Sequence, residues 1–293
     1  MKYIYYPGCS LKGTGRAYEE SMLPVFKALD VSWEELKEWN CCGATAYMSV
    51  NEAKAFALAA RNLAIAEEQG SDDPDMPPTV VAPCAACYLV LSKAKHYMAE
   101  NPDLDRTVRN ALAAADLNYR GEVVVRHPLD VFLNDVGLDK IKAAVRNPLA
   151  GLKVAPYYGC QIVRPYAEFD DQDDPTSMDR ILKALGAEVV EYPLKTRCCG
   201  GSLTGTMNEV GVRLNYILLR EARRRGADVV ATACPLCQFN LECYQDKMGS
   251  WFDDPIRMPV AYFSQLMGLA FGIPRNQLGF NHVFVPLELA KTR

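Results

Sequence analysis

The sequence lacks the charge and the long apolar segments that are typical of nucleic-acid-binding and membrane-spanning proteins. Its 32 Lys and Arg residues are offset by 36 Asp and Glu residues, so the formal net charge is only −4. This balance gives no basis for binding nucleic acid or an anionic membrane surface. The most apolar stretch, residues 260–273, is too short to span a bilayer. The first residues, Met1 to Cys9, contain no apolar signal segment, so we expect a cytoplasmic protein without a transmembrane segment.

Two common cofactor motifs are also missing. The glycine-rich segments at 13–15 and 200–205 do not form a G-x-G-x-x-G pattern between a strand and a helix. The sequence therefore has no fingerprint of a nicotinamide or flavin site. It also has no C-x-x-C-x-x-C run of the kind that holds a conventional cubane cluster. If this chain carries out redox chemistry, we expect a partner subunit to exchange electrons with it.

Cysteine is abundant, and its pattern is the strongest signal in the sequence. Ten of the eleven cysteines fall into two sets of five, each with a single Cys, a Cys-Cys-Gly turn and a C-x-x-C motif. The first set is Cys9, Cys41, Cys42, Cys84 and Cys87, and the second is Cys160, Cys198, Cys199, Cys234 and Cys237. In a reducing compartment, clustered cysteines indicate metal ligands or redox groups.

The number of thiols in each set limits the chemistry. A structural zinc ion or a cubane iron–sulfur cluster takes four ligands, and disulfides use cysteines in pairs. The fifth thiol of each set therefore favours a larger or unusual metal centre, or a ligand that can be exchanged. Paired zinc sites and five disulfides are weaker alternatives. Cys243 lies outside both sets and is interpreted as an ordinary thiol.

The rest of the chain repeats in the same way. The segments before Cys9 and Cys160 are similar, and each Cys-Cys-Gly turn precedes an amphipathic helix, at 51–68 and 208–225. Short β-branched runs then lead into the C-x-x-C motifs. Further short apolar runs occur at 123–125, 152–154 and 188–190. We predict an α/β fold with two pseudo-symmetric domains, residues 1–146 and 147–293, each a mostly parallel sheet flanked by helices.

The vicinal cysteines suit a polynuclear centre better than a single ion. Adjacent side chains diverge, so the two thiols of each pair would reach different metal ions of one cluster. Gly43 and Gly200 allow backbone conformations that a Cβ atom would forbid. Backbone N–H groups in these turns would donate to cluster sulfurs. Four cationic residues near the motifs are candidates for the same role, namely Lys12, Arg164, Lys195 and Arg197.

This doubled pattern resembles the cysteine-rich CCG domains of the heterodisulfide reductase B subunit. The resemblance covers nearly the whole chain, from the Tyr-Tyr-Pro-Gly-Cys opening to the closing Tyr-Phe-Ser-Gln-Leu segment. It implies two non-cubane [4Fe-4S] clusters, each held by one set of five cysteines, that face a shared substrate cleft and split a disulfide between them. The sequence departs from the family in the longer separation of Cys42 and Cys84. We expect the acidic, proline-rich loop at 71–78 to absorb the extra residues.

The resemblance also implies a function and partners. The chain would be the catalytic subunit of a heterodisulfide reductase-like complex, reducing a disulfide or oxidising thiols in reverse. Its partners would be a cubane iron–sulfur subunit and a flavin-containing subunit, and its substrate a small-molecule or carrier-bound thiol or disulfide. A sulfur-oxidising version acting on a lipoate-linked thiol remains an alternative. So does a non-catalytic electron-transfer or zinc scaffold subunit.

Three further segments of the chain bear on this site. His127 follows a Val-rich run and would serve either as a proton donor to a leaving thiolate or, more simply, as a structural histidine. The basic stretch at 220–225 is interpreted as a solvated helix end, with docking of an acidic partner as the alternative. The apolar residues at 261–267 are expected to be core.

Overall fold

A computed structural model describes residues 2–44 and 46–288. It contains two four-stranded sheets in which every strand pair is parallel. The first has the order β2-β1-β3-β4 and the second the order β6-β5-β7-β8. The strands are β1 (Lys2–Tyr5), β2 (Ser32–Glu35), β3 (Thr79–Val81), β4 (Val124–Arg126), β5 (Lys153–Tyr157), β6 (Glu188–Val189), β7 (Val229–Thr232) and β8 (Val260–Tyr262). The matching strand orders confirm the predicted α/β duplication.

Among the described residues, eight α-helices lie in the first half and six in the second. In the first half they are α1 (Gly8–Leu11), α2 (Arg16–Ala28), α3 (Ala46–Val50), α4 (Glu52–Gln69), α5 (Ala85–Glu100), α6 (Pro102–Ala113), α7 (Pro128–Val131) and α8 (Leu138–Ala144), with a π-helical turn at Phe132–Val136. In the second half they are α9 (Ser177–Ala184), α10 (Leu203–Thr206), α11 (Asn208–Arg224), α12 (Pro235–Cys243), α13 (Gln245–Phe252) and α14 (Phe263–Ala270), with 3-10 turns at Arg275–Gln277 and Phe280–His282. None of the helices in this described part of the chain is long and apolar enough to cross a membrane.

The predicted strands and helices largely agree with the observed ones. The central strands β3 and β7 are fully buried runs of β-branched and small residues, as expected for parallel sheets covered on both faces. The two amphipathic helices predicted after the Cys-Cys-Gly turns are α4 and α11, within one residue at each end. Strand β2, with the sequence Ser-Trp-Glu-Glu, was not predicted because it is a half-exposed edge strand with little β-branched character.

The two halves share one core. Helix α2 of the first half packs on β8 and α14 of the second half. The Tyr18 and Tyr262 rings stack with centroids 4.3 Å apart, and the Ser21 and Ser264 hydroxyls lie 2.6 Å apart in the same buried layer. This layer, which we call the seam, also explains why residues 261–267 are buried, as predicted.

The domain boundary at Arg146 and Asn147 falls in the connection between α8 and β5. The backbone N–H groups of both residues donate to the Ala270 carbonyl at 2.8 Å, so this connection is tied to the second half. The boundary itself remains a prediction, and its outer limits at residues 1 and 293 lie outside the described residues. The loop at 71–78 is mostly exposed, as expected for an insertion.

Candidate metal centre

The cysteines gather where the central strands end. Cys9 and Cys84 follow β1 and β3, and Cys160 and Cys234 follow β5 and β7. Because neighbouring parallel strands end at the same edge of a sheet, each half brings its single Cys and its C-x-x-C motif together. The Cys-Cys-Gly turn of each half reaches the same edge through the connection that follows the outer strand, β2 or β6.

Within each set the sulfur atoms lie in contact. The Sγ atoms of Cys9 and Cys41 are 3.6 Å apart, and those of Cys42 and Cys87 are 3.4 Å apart. In the second half, the Cys199 and Cys237 Sγ atoms are 3.5 Å apart. No group of three or more His, Cys, Asp or Glu side chains within residues 2–44 and 46–288 is arranged around one ion position.

Each set has the same division into buried and open thiols. The second residue of the vicinal pair and both thiols of the C-x-x-C motif are buried, in both halves. The other two thiols are more open, with Cys9, Cys41 and Cys198 exposed and Cys160 at intermediate exposure. The structure therefore gives each half three anchoring sulfurs at the base of the site and two nearer solvent.

Two glycines make room for these sulfur atoms. Gly8 and Gly159 each precede the single cysteine of a set, with φ of +66° and +70°. A Cβ atom at Gly8 would lie 2.9 Å from the Cys87 Sγ, and one at Gly159 would lie 3.1 Å from the Cys237 Sγ. Only glycine combines this backbone conformation with so close an approach to a thiol.

The glycine of each Cys-Cys-Gly turn allows the following helix to pack closely against the turn. Gly43 and Gly200 have φ of +82° and +91°, and a Cβ atom on either would lie 3.2 Å from a Cα atom of α4 or α11. The helix therefore packs directly onto the turn. This contact fixes the direction in which the two vicinal thiols leave the backbone.

A tyrosine before each single cysteine also holds the vicinal turn. The Tyr6 hydroxyl donates to the Asn40 carbonyl and the Tyr157 hydroxyl to the Arg197 carbonyl, both at 2.7 Å. Asn40 and Arg197 immediately precede the two Cys-Cys pairs. The structural counterpart of Tyr157 is thus Tyr6, two residues before the glycine in each half. We did not predict this role, although the repeated tyrosines were the signal for it.

The thiols of each set restrain one another's ionisation. Hydrogen bonds from Cys160 and Cys199 lower the pKa of Cys198 to about 2, whereas the same contact raises the pKa of Cys160 well above its ordinary value. In the first half, hydrogen bonds with Cys41 and Cys87 lower the pKa of Cys42, and the pKa of Cys41 is raised in turn. One thiolate is therefore favoured at the expense of its neighbours. Full deprotonation of a set requires a compensating positive charge.

The cationic side chains near the motifs pair mainly with carboxylates. Lys12 pairs with Glu19 and Glu35, and Lys195 with Asp174 and Asp179. The Arg164 guanidinium pairs with Asp173, and Arg197 is exposed. Among the described residues, no Lys or Arg side chain hydrogen-bonds to a cysteine sulfur. Lys12, Arg164 and Lys195 are held by nearby carboxylates, and their role as donors to cluster sulfurs stays a prediction.

A metal–sulfur centre fits this arrangement. Thiolates are soft ligands, and five thiolates gathered at one edge of a sheet would be stable as a polyanion only around metal ions. Because Gly8 and Gly159 have no side chain, no Cβ atom crowds the Cys87 and Cys237 sulfurs. Buried hydroxyls without hydrogen-bond partners lie at the seam, at Tyr18 and Tyr262. Burial is the main cause that raises the pKa of both tyrosines, and negative charge on Cys234 and Cys84 would raise it further.

The two sets meet at the seam. A hydrogen bond with Cys234 is the main cause that lowers the pKa of Cys84, so the first thiols of the two C-x-x-C motifs interact across it. A cavity of about 200 Å³ opens beside the second set. Both halves line this cavity, with Ser49 and Ala85 from the first and Cys160, Cys198 and Cys234 from the second.

His127 lies behind the C-x-x-C motifs and is completely buried. Its Nδ1 accepts from the Leu129 backbone N–H at 3.2 Å, so its Nε2 carries the proton and donates to the Pro83 carbonyl at 3.1 Å. Burial is the main cause that lowers its pKa to about 4. Both ring nitrogens are engaged with backbone, which favours the structural interpretation over proton donation to a substrate.

The basic stretch at the end of α11 is largely paired within the chain. Arg223 pairs with Asp254, and Arg224 and Arg225 pair with Glu221. These pairs fit the prediction of a solvated helix end.

Comparisons with known proteins agree with this site. The CCG cysteine-rich domain family matches residues 3–92 and 154–242, which contain the two cysteine sets. A protein of Archaeoglobus profundus, named as similar to the heterodisulfide reductase B subunit, is 31% identical over 279 residues, 93% of this chain and 91% of that protein. The B subunit of the ferredoxin:CoB-CoM heterodisulfide reductase of Methanosarcina mazei is 28% identical over 284 residues, 95% of this chain and 92% of that protein.

Two further similarities extend this picture. A Wolinella succinogenes protein named 8-methylmenaquinol:fumarate reductase membrane anchor subunit is 33% identical over 287 residues, 96% of each chain. The crystal structure of a hypothetical protein from Helicobacter pylori has the same fold, with a TM-score of 0.76 at 13% identity over 99% of this chain. This chain spans only 53% of that larger protein. The tandem domain matches and the full-length relatives confirm the predicted resemblance: the chain belongs to the family of heterodisulfide reductase B subunits, oxidoreductases with two CCG domains.

Proposed function

We propose that this chain is the catalytic subunit of a heterodisulfide reductase-like complex, which reduces a disulfide or oxidises thiols in reverse. The observation that carries the proposal is the meeting of two complete five-thiol sets at one seam. Residues of both halves line one cavity, among them Ala85, next to Cys84 of the first set, and Cys234 of the second. The cavity lies beside the second set, and Ala85, next to Cys84 of the first set, also lines it, so a disulfide bound there would lie near both sets.

Each set would hold one non-cubane [4Fe-4S] cluster. When bound, the clusters supply one-electron transfer and Lewis-acidic iron for a thiolate sulfur. The buried thiols would anchor each cluster, and they are Cys42, Cys84, Cys87, Cys199, Cys234 and Cys237. The more open thiols Cys9, Cys41, Cys160 and Cys198 would complete the sets on the solvent side.

The balance of the reaction explains the duplication. Reduction of R–S–S–R′ consumes two electrons and two protons and gives R–SH and R′–SH. An iron–sulfur site usually carries one electron at a time, so two sites match one disulfide. A cubane iron–sulfur subunit and a flavin subunit are the partners we propose as the source of the electrons. The substrate would be a small or carrier-bound disulfide, with a lipoate-linked thiol as the sulfur-oxidising variant.

A second candidate is an electron-transfer subunit of a quinol-dependent fumarate reductase complex. The similarity to the Wolinella succinogenes protein over 96% of each chain favours it. In that case the same cysteine sets would pass electrons between partner subunits, and no thiol substrate would enter the cavity.

The two candidates can be separated with protein purified without oxygen. We expect added dithiols or disulfides to change the visible and EPR spectra of the metal centre and to turn over with an artificial electron carrier. Replacing Cys198 with Ser should abolish this response, and replacing Cys243, which belongs to neither set, should not. Electron exchange with a quinol-oxidising partner in the absence of any thiol response would favour the second candidate. Zinc without acid-labile sulfide would leave a scaffold protein and overturn both.

A further inference from the structure

One side chain of the second half donates a hydrogen bond to a cysteine sulfur. Asn240 is completely buried in α12, three residues after Cys237. Its Nδ2 lies 3.5 Å from the Cys199 Sγ and 2.8 Å from the Gly201 carbonyl oxygen. Its Oδ1 accepts from the Thr204 hydroxyl at 2.9 Å.

These partners fix the orientation of the amide. The Gly201 carbonyl can only accept a hydrogen bond, so the atom of Asn240 that faces it must be the NH₂ group. The Thr204 hydroxyl then donates to Oδ1 from the other side. The second hydrogen of the NH₂ group is left to point at Cys199, which makes Asn240 a committed donor to this sulfur.

The first half has no such donor at the corresponding position. The C-x-x-C motifs place Val90 where the second half has Asn240, since each follows the last cysteine of its motif by three residues. Val90 is also buried, but its side chain has no polar atom. Backbone N–H groups after the vicinal cysteines are common to both halves, from Gly43 and Ala44 in the first and Gly200 and Gly201 in the second.

We propose that the cysteine set of the second half forms the site with the higher reduction potential, because Asn240 donates to the Cys199 sulfur and Val90 offers the first half no equivalent. The inference rests on the proposed iron–sulfur binding. One-electron reduction by an external reductant such as dithionite adds a negative charge to the site, and no bond is broken. A hydrogen bond to sulfur stabilises that added charge, so it favours the reduced state.

Redox titration of the wild-type holoprotein and three variants tests the proposal. We expect wild type to show two midpoint potentials. Replacing Asn240 with Val should lower the higher one, with about a tenfold change in its reduction equilibrium, or about 59 mV for a one-electron couple. The reciprocal Val90→Asn variant should raise the lower one. Asn215→Val is the control, because Asn215 is equally buried but bonds the Gly211 carbonyl and no sulfur.

The outcomes separate this inference from the proposed function. Absence of iron and sulfide from wild-type protein would overturn the proposed function. A loaded wild type with a single midpoint, or an Asn240→Val variant that moves the lower midpoint or neither, would overturn only the role of Asn240. If Asn240→Val does not fold, the Val90→Asn variant still decides, since an unchanged lower midpoint would contradict the proposal.

Discussion

At the scale of single residues, the site depends on two glycines that make room for sulfur atoms as much as on the thiols. Gly8 and Gly159 occupy positions where a methyl group would press on the last sulfur of each C-x-x-C motif. The cysteine pattern in the sequence predicted the ten thiols as two sets of five, and the structure gathers each set at the edge of one sheet. Tyr6, Tyr157 and Asn240 escaped prediction, because their partners lie 34 to 41 residues away and leave no local pattern.

We expect Gly159→Ala to lower the iron content of the second site while the protein remains folded. The added Cβ would lie 3.1 Å from the Cys237 Sγ and would shift this sulfur. Gly121→Ala is the matched control, since Gly121 also has a positive φ, of +89°, but nothing lies within 4 Å of the added Cβ. Iron and circular dichroism measured on both variants check this. Equal iron content in the two variants would show that the glycine space is not needed.

The buried His127 should make the stability of the protein depend on pH. Its folded pKa of about 4 lies below the ordinary value of 6.5, so the unfolded chain binds the proton more tightly. The contribution of the neutral histidine to the free energy of unfolding is complete above pH 6.5. It is lost as the pH falls toward 4, which lowers the free energy of unfolding by up to about 3 kcal/mol. Asn keeps a helix-capping oxygen but does not titrate, so His127→Asn should show a smaller loss between pH 7 and pH 5 in urea unfolding. Equal losses in both proteins would contradict a buried neutral histidine.

At the scale of elements, each half joins a Cys-Cys-Gly turn to a long helix through a close glycine contact. Periodicity in the sequence predicted α4 and α11 because their apolar faces are regular. The edge strand β2 was missed, because it has no β-branched residue and is held in place by pairing with β1 along its whole length. Local sequence does not encode that pairing.

The loop at 71–78 should be dispensable, since it is exposed and lies between α4 and β3. We expect replacement of residues 71–77 by a shorter Gly-Ser linker to change the free energy of unfolding by less than about 1 kcal/mol and to leave the iron content unchanged. The loop at 170–175 provides a contrast. The Asp170 carboxylate accepts from Thr176 and Ser177 N–H groups at the start of α9, so the same replacement there should destabilise the protein. Similar effects of both replacements on urea unfolding would refute this distinction.

At the scale of the whole molecule, the duplication was visible in the sequence, but the seam was not. Repeated motifs predict two similar domains, yet they do not show that α2 of the first half packs on α14 of the second. The contact between Tyr18 and Tyr262 joins residues from opposite ends of the chain. Its consequence is functional, since the seam sets the relative position of the two cysteine sets.

Truncation of the Tyr18 side chain should therefore lower the free energy of unfolding of the whole molecule. Tyr18→Ala would leave a cavity between the halves, at a cost of about 3–5 kcal/mol in the free energy of unfolding. Tyr47→Ala is the control, because the Tyr47 side chain is 51% exposed. Denaturant unfolding followed by fluorescence and circular dichroism measures the difference. A loss no larger than that of the control would mean that the seam contributes little to stability.

The central claim is that both cysteine sets hold iron–sulfur clusters. The most direct test is the iron and acid-labile sulfide content per chain of protein purified without oxygen. The account predicts about eight of each, corresponding to two four-iron clusters. About four of each would mean that only one half is loaded and would contradict the two-site reaction. Zinc without sulfide would contradict the account altogether.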